Sequence, residues 1–145
     1  MEVKMNERTV RIEENLRRVC YKIKKKGREI LNDVDITPPQ FDALQYLRNE
    51  ENMTIGELSS KMYLACSTVT DLLDRMERNE LVKRIKDEND RRIVRIQVLQ
   101  KGHDLIKMVM ETRISYVESI LSELDEDVID AIDQGFAIFN EKVEL

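Results

Sequence analysis

A mainly α-helical chain carrying one small β-hairpin is the fold class this sequence predicts, and three observations predict it. Two short amphipathic segments, 54–62 and 64–79, follow one another across a tight turn. Two further segments, 81–86 and 93–98, flank a loop of charged residues, the second of them alternating apolar and polar. Through 8–31, 101–123 and 126–143 apolar residues return every three or four positions, the spacing of one helix face. Two helices across a turn with a hairpin attached make a winged helix-turn-helix, here placed between longer helices at both ends.

Taken in order, residues 8–31 form the first helix. Ile12, Leu16, Val19, Ile23, Gly27 and Ile30 give a near-heptad seam that one helix cannot cover by itself. The run Lys24-Lys25-Lys26 on it reads either as a solvated face or as a patch facing DNA. After a turn at Asn32 to Asp35, Thr37-Pro38-Pro39-Gln40 opens the next helix. Thr is the N-cap, Pro sits at the first helical position and Gln closes the capping box. Ile36 and Phe41 staple that start, and Phe41, Leu44 and Leu47 form the face that supports the helix-turn-helix from behind.

Thr54-Ile55-Gly56-Glu57 is a second capping box, stapled by Met53 and Leu58. In the next helix Val69, Leu72, Leu73 and Met76 form one buried stripe. Ser67, Thr68, Thr70, Asp71, Arg75 and Arg78 occupy the other side. Then come Leu81 to Lys86, the charged turn Asp87 to Arg92, and Ile93 to Val98 as the second strand.

The helix after the wing carries Leu105, Ile106, Val109, Tyr116, Val117, Ile120 and Leu121 on one face. Asp125 is expected to cap the last helix, with Glu126 and Asp127 suited to its positive end. Ile129, Ile132, Phe136, Phe139 and Val143 repeat the seam pattern. The three seams together expose more apolar surface than a monomer of this size tolerates, so a two-fold homodimer is expected.

The chain of 145 residues has a one-domain length, and 37% charged residues without Trp point to long solvated helices. Its net charge of −5 is unfavourable for a nucleic-acid binder until it is located. The acidity belongs to 101–145, whereas the wing region carries Lys83, Arg84, Lys86, Arg91, Arg92 and Arg95. Local charge is what meets a phosphate backbone. Cys20 and Cys66 lack metal-ligand or thioredoxin spacing, and no apolar run has the length of a membrane helix. A soluble cytoplasmic protein with reduced thiols, no metal and no cofactor is expected. His103 stands alone, without a phosphate loop or nucleophile motif, so enzyme chemistry is not expected.

The run CSTVTDLLDRMERNELVKRIKDENDRRIVRIQVLQKG (66–102) resembles the recognition helix and wing of the MarR family of bacterial transcriptional regulators, and ITPPQFDALQYL (36–47) is similar to that family's second helix. The resemblance implies one domain over 1–145. About 32–100 would form the DNA-binding lobe, and about 1–31 and 101–145 the dimerisation helices. It also implies a small phenolic or lipophilic effector in a crevice between those helices and the winged helix. Three residues depart from the pattern. Glu80 stands where Gly is usual, Gln100 replaces a capping Thr, and Asp71 puts an acid where many members present Arg to DNA.

A recognition helix needs short side chains at its start so that its backbone can enter the major groove, and Ala65, Cys66, Ser67 and Thr68 meet that need. Thr68 and Thr70 offer hydroxyls to base edges and methyls to thymine. Arg75 reads equally as a phosphate contact or as the partner of Asp71 or Asp74. Arg78 is a further DNA-facing candidate. Arg91 and Arg92 suit a narrow minor groove, with Asp90 able to hold one guanidinium in place. Cys66 lies at a helix start, where a reactive thiolate is favoured, and is either an oxidant sensor or only a small groove-compatible residue. The expected function is a homodimeric regulator of transcription on a pseudo-palindromic operator in double-stranded DNA. It reads as a repressor released by a small molecule or an oxidant. The competing reading is a protein-interaction module that uses the terminal helices, with the winged helix as scaffold.

Overall fold

The computed structural model describes residues 4–144. Its elements are α1 (Glu7–Asp33), α2 (Pro38–Asn49), α3 (Ile55–Met62), α4 (Cys66–Arg78), β1 (Val82–Lys86), β2 (Val94–Val98), α5 (Gln100–Leu121) and α6 (Glu126–Lys142). Two compact units divide the chain within α5, one ending at Val109 and the other starting at Met110.

In the first unit, local chemistry sets the helix starts. Thr37 Oγ accepts the Gln40 N–H at 3.3 Å while Gln40 Oε1 accepts the Thr37 N–H at 3.1 Å. Thr54 and Glu57 repeat the exchange at 3.1 and 3.0 Å. The staple residues Ile36, Phe41, Met53 and Leu58 are all buried. Three helices also end alike. The N–H of Ile36 reaches back to Leu31 O at 3.1 Å, that of Leu64 to Ser59 O at 3.1 Å, and that of Leu81 to Met76 O at 3.0 Å. This is the Schellman closure, which puts the residue before each of those donors in the left-handed region. Asp35, Tyr63 and Glu80 stand there with φ of 55, 54 and 61. Left-handed backbone costs an L-residue roughly 1–2 kcal/mol. Glu80 therefore occupies a position that glycine suits, and the chain tolerates it because Met76 and Leu81, the apolar pair of this closure, are buried.

The core joins Phe41, Leu44 and Leu47 of α2 to Leu58 of α3 and to Val69, Leu73 and Met76 of α4. Val82 and Ile96 of the hairpin close one side, and Ile106 and Val109 of α5 complete it. β1 and β2 pair antiparallel from Val82 opposite Val98 to Lys86 opposite Val94. The far edge of β2 is covered as well, since Thr54 bridges Arg95 and the Ile96 N–H donates to Met53 O at 2.9 Å. The hairpin is thus stitched to the segment between α2 and α3. α5 starts hard against its base. A Cβ on Gly102 would lie 2.5 Å from Leu81 O and 2.8 Å from Val98 Cγ1, so only glycine fits that approach. Gln100, the first residue of α5, donates its side-chain N–H to Asp104 Oδ1 one turn on, at 2.8 Å.

The seam of α1 is covered only at its end. Ile30 and Leu31 are buried, whereas Ile12, Val19 and Ile23 are exposed. In the second unit the apolar face is largely open, with Tyr116, Leu121, Ile129 and Ile132 half-buried. Ile114, Val117 and Ile120 of α5 are exposed, and α6 has no buried residue, with Phe136, Ile138 and Phe139 all open. One local expectation is corrected there. Asp125 does stand at the N-cap of α6 in extended backbone, but its side chain makes no capping hydrogen bond. Its carboxylate acts on the helix end through charge alone, together with Glu126 and Asp127. Among the described residues no helix is long and apolar enough to cross a membrane.

Candidate nucleic-acid interface

α4 turns its apolar stripe inward, and the opposite face is open. Cys66, Ser67, Thr68, Asp71, Arg75 and Arg78 are exposed, and Thr70 is half-buried. Ala65, the N-cap, has no side chain to accept a hydrogen bond, so the N–H groups of the first turn are left to an outside partner. The Thr70 hydroxyl donates to Cys66 O at 2.8 Å. Its proton is committed to the helix, and what it presents outward is an acceptor oxygen and a methyl group. Cys66 Sγ lies 3.3 Å from Ser59 Oγ and remains exposed, as does Cys20.

The two arginines of α4 differ from each other. Arg78 lies along its own helix, its Nε donating to Asp74 O at 3.4 Å. Of its two readings, Arg75 does not show the ion pair with Asp71 or Asp74. The Asp74 carboxylate is taken by Arg84, and Asp71 stands exposed. Arg75 therefore projects as an uncommitted cation with an acid one turn before it.

Arg84, read from the sequence only as one of the wing's basic residues, has a structural role that its pattern does not reveal. From β1 its backbone N–H donates to Glu77 Oε2 at 2.9 Å and its Nε to the same oxygen at 3.4 Å, while its terminal nitrogen bonds Asp74. It locks the root of the wing onto α4. The signal present in the sequence is a pair of acids three apart on α4 followed by a basic strand. Nothing in periodicity says which base they take.

The wing loop is shaped by two carboxylates. Asp87 accepts the N–H groups of Asn89 and Asp90 at 3.1 and 3.0 Å, and Arg95 Nε at 2.9 Å. Arg95 reaches on to Asn52 O at 2.9 Å, tying the loop's base to the body. The Arg95 guanidinium, then those N–H groups, hold the Asp87 carboxyl below the usual carboxylate range. At the tip Asp90 grips Arg92 with both oxygens, each contact 3.1 Å, and also accepts the Arg92 N–H at 3.0 Å. Arg92, chiefly through its side chain, holds Asp90 below the usual range in turn. The Arg92 side chain nevertheless stays 90% exposed. Arg92 is thus the positioned cation and Arg91, exposed and without an ion pair, the unrestrained one. On α1, Lys24 and Lys25 are exposed and Lys26 faces Glu29 across 4.0 Å, a solvated pattern.

The MarR family model matches residues 36–94, from the start of α2 into β2. An uncharacterized HTH-type transcriptional regulator of Bacillus subtilis, YsmB, is 53% identical over 118 residues, covering 81% of this chain and 81% of its own length. The structure of a MarR family protein from Bacillus stearothermophilus is 47% identical, covers 95% of this chain and 97% of that one, and superposes with a TM-score of 0.79. A mutant of MepR from S. aureus bound to an oligodeoxyribonucleotide has a TM-score of 0.78 over 92% of this chain and 98% of that one. At 21% identity it shares the fold alone.

Proposed function

The chain belongs to the MarR family of transcriptional regulators, and from that premise we propose that it works as a cytoplasmic homodimer gripping a pseudo-palindromic operator in double-stranded DNA. One observation carries the reading. The open face of α4, short and hydroxyl-bearing at its first turn, is bolted through Arg84 to a hairpin that ends in Arg91 and Arg92. A scaffold for protein contacts has no need of that pairing. MepR, a protein of the same fold, is bound to an oligodeoxyribonucleotide. Ser67, Thr68 and Thr70 read base edges in the major groove, Arg75 and Arg78 meet phosphates beside them, and Arg91 and Arg92 enter the adjacent minor groove. The dimer presents two such units, one per half-site. The protein acts as a repressor, released by a small lipophilic or phenolic molecule or by oxidation of the exposed Cys66, which lies among the groove-facing residues. Equal peroxide sensitivity of the wild type and Cys66→Ser would remove that thiol from the mechanism.

Selection of bound sequences from a random DNA library, then titration of the selected and a random duplex at several salt concentrations, tests the core of this. Arg91→Ala should weaken both duplexes alike and flatten the log–log salt slope by about one. Arg92→Ala should do so less steeply, because Asp90 already offsets part of its charge. Thr68→Val should leave the slope unchanged and cost about 1–3 kcal/mol of preference at one base pair per half-site. No enrichment of any sequence, or retention on DNA that ignores salt, would leave the protein-interaction reading standing.

A further inference from the structure

Tyr63 is the most exposed large hydrophobic residue among those described, at 95%, and it sits in the left-handed region at φ 54 and ψ 38. Of the three residues in that region at a helix closure, Asp35 is short and polar, a type that tolerates the conformation. Tyr63 is bulky, and its ring recovers nothing through burial. A strained backbone carrying a side chain that the fold leaves unused points to a use outside the fold.

Its location says which use. Only Leu64 and Ala65 separate Tyr63 from α4, and Ser67 follows four residues on. When the first turn of α4 enters a major groove, the link before it lies at the groove's rim, where the phosphates run. The nearby cation Lys61 is already spent on Glu50, 2.7 Å away. The shallow hollow beside the ring holds Glu50, Glu57 and that same paired Lys61, so it offers a phosphate no uncommitted cation. The Tyr63 hydroxyl has no partner of its own, and it stands ready as a neutral donor at this rim.

We infer that Tyr63 is a DNA-backbone contact, its phenol donating a hydrogen bond to a phosphate oxygen at the rim of the groove that α4 occupies. This rests on the DNA-binding reading above. Because the donor is neutral and phosphates carry no sequence, the contact has a signature of its own. It adds affinity to every duplex and leaves the salt slope untouched, unlike the wing arginines and unlike the α4 hydroxyls.

Thermal unfolding and DNA titration of Tyr63→Gly and Tyr63→Phe test it. Tyr63→Gly relieves the backbone and should keep or raise Tm, yet bind both the selected and the random duplex about tenfold more weakly at an unchanged salt slope. Tyr63→Phe keeps ring and backbone and should show most of the same weakening with no gain in Tm. Wild-type affinity in Tyr63→Gly overturns the inference. Wild-type affinity in Tyr63→Phe alone overturns the hydroxyl's role, and a loss confined to the selected duplex overturns the assignment to the backbone. A wild-type protein that binds no duplex sinks the functional reading itself, before any variant is compared.

Discussion

α4 and α6 are written in the same code and meet opposite fates. Val69, Leu73 and Met76 of α4 lie on one stripe at helical spacing and are fully buried. Phe136 and Phe139 of α6, three apart on the same kind of stripe, are 56% and 45% exposed, and no residue of α6 is buried. An amphipathic pattern states that a face will be covered without stating by what. For α4 the cover is α2, α3 and the hairpin of the same chain. For α6 the described residues supply no such cover, and burying its aromatic surface would be strongly favourable. The winged helix thus closes its core with the end of α1 and the start of α5, while the apolar face of α6 is left open.

The largest effect should come from charging the open face. Phe136→Asp is expected to abolish the dimer, with DNA affinity falling by orders of magnitude because two half-sites are no longer held together. Sedimentation and DNA titration at the same concentrations check it. A wild type that sediments as a folded monomer at micromolar concentration would erase the contrast between the two helices. Next in size is the closed face. Leu73→Ala should cost about 2–5 kcal/mol through the cavity it leaves. In the dimer reading, Tm falls on dilution for every variant that still assembles, and this increment persists at each concentration.

A third test moves to the wing, which closes on itself through polar contacts where α4 uses apolar ones. The Asp87 carboxyl is held below its ordinary range in the folded state by Arg95 and by the N–H groups of Asp90 and Asn89. Its stabilising contribution is thus fully present above the ordinary carboxylate value and is lost as pH falls through the lowered one. Asp87→Asn should be less stable than wild type near neutral pH, and the gap should narrow on acidification below about pH 4. Denaturant midpoints across pH measure it, and a gap that is constant with pH would mean the carboxylate's charge is irrelevant to the loop. The smallest effect is a gain. Glu80→Gly places the permissive residue at φ 61 and should add about 0.5–1 kcal/mol, seen as a higher midpoint with an unchanged denaturant slope.

Much that acts over three or four residues was legible in the chain itself. Both capping boxes, the apolar stripe of α4 and the Asp90–Arg92 pair each join near neighbours, and the hairpin is marked by its alternation around a charged loop, so periodicity and residue type suffice to find them. The candidate face of α4 followed from the same logic, as the complement of the buried stripe. The contacts that the tertiary structure alone decided join residues that no period relates. Arg84 takes Asp74 and Glu77, ten and seven residues back, and thereby denies Asp74 to Arg75. Arg95 reaches Asn52, 43 residues away. Asp125 has the residue type of a cap yet makes no capping bond, and Tyr63 has the type of a core residue yet stands in water. The reason is the same in each case. A charge or a ring can be satisfied by any of several partners, and which one lies within about 3 Å depends on how the helices and the hairpin pack.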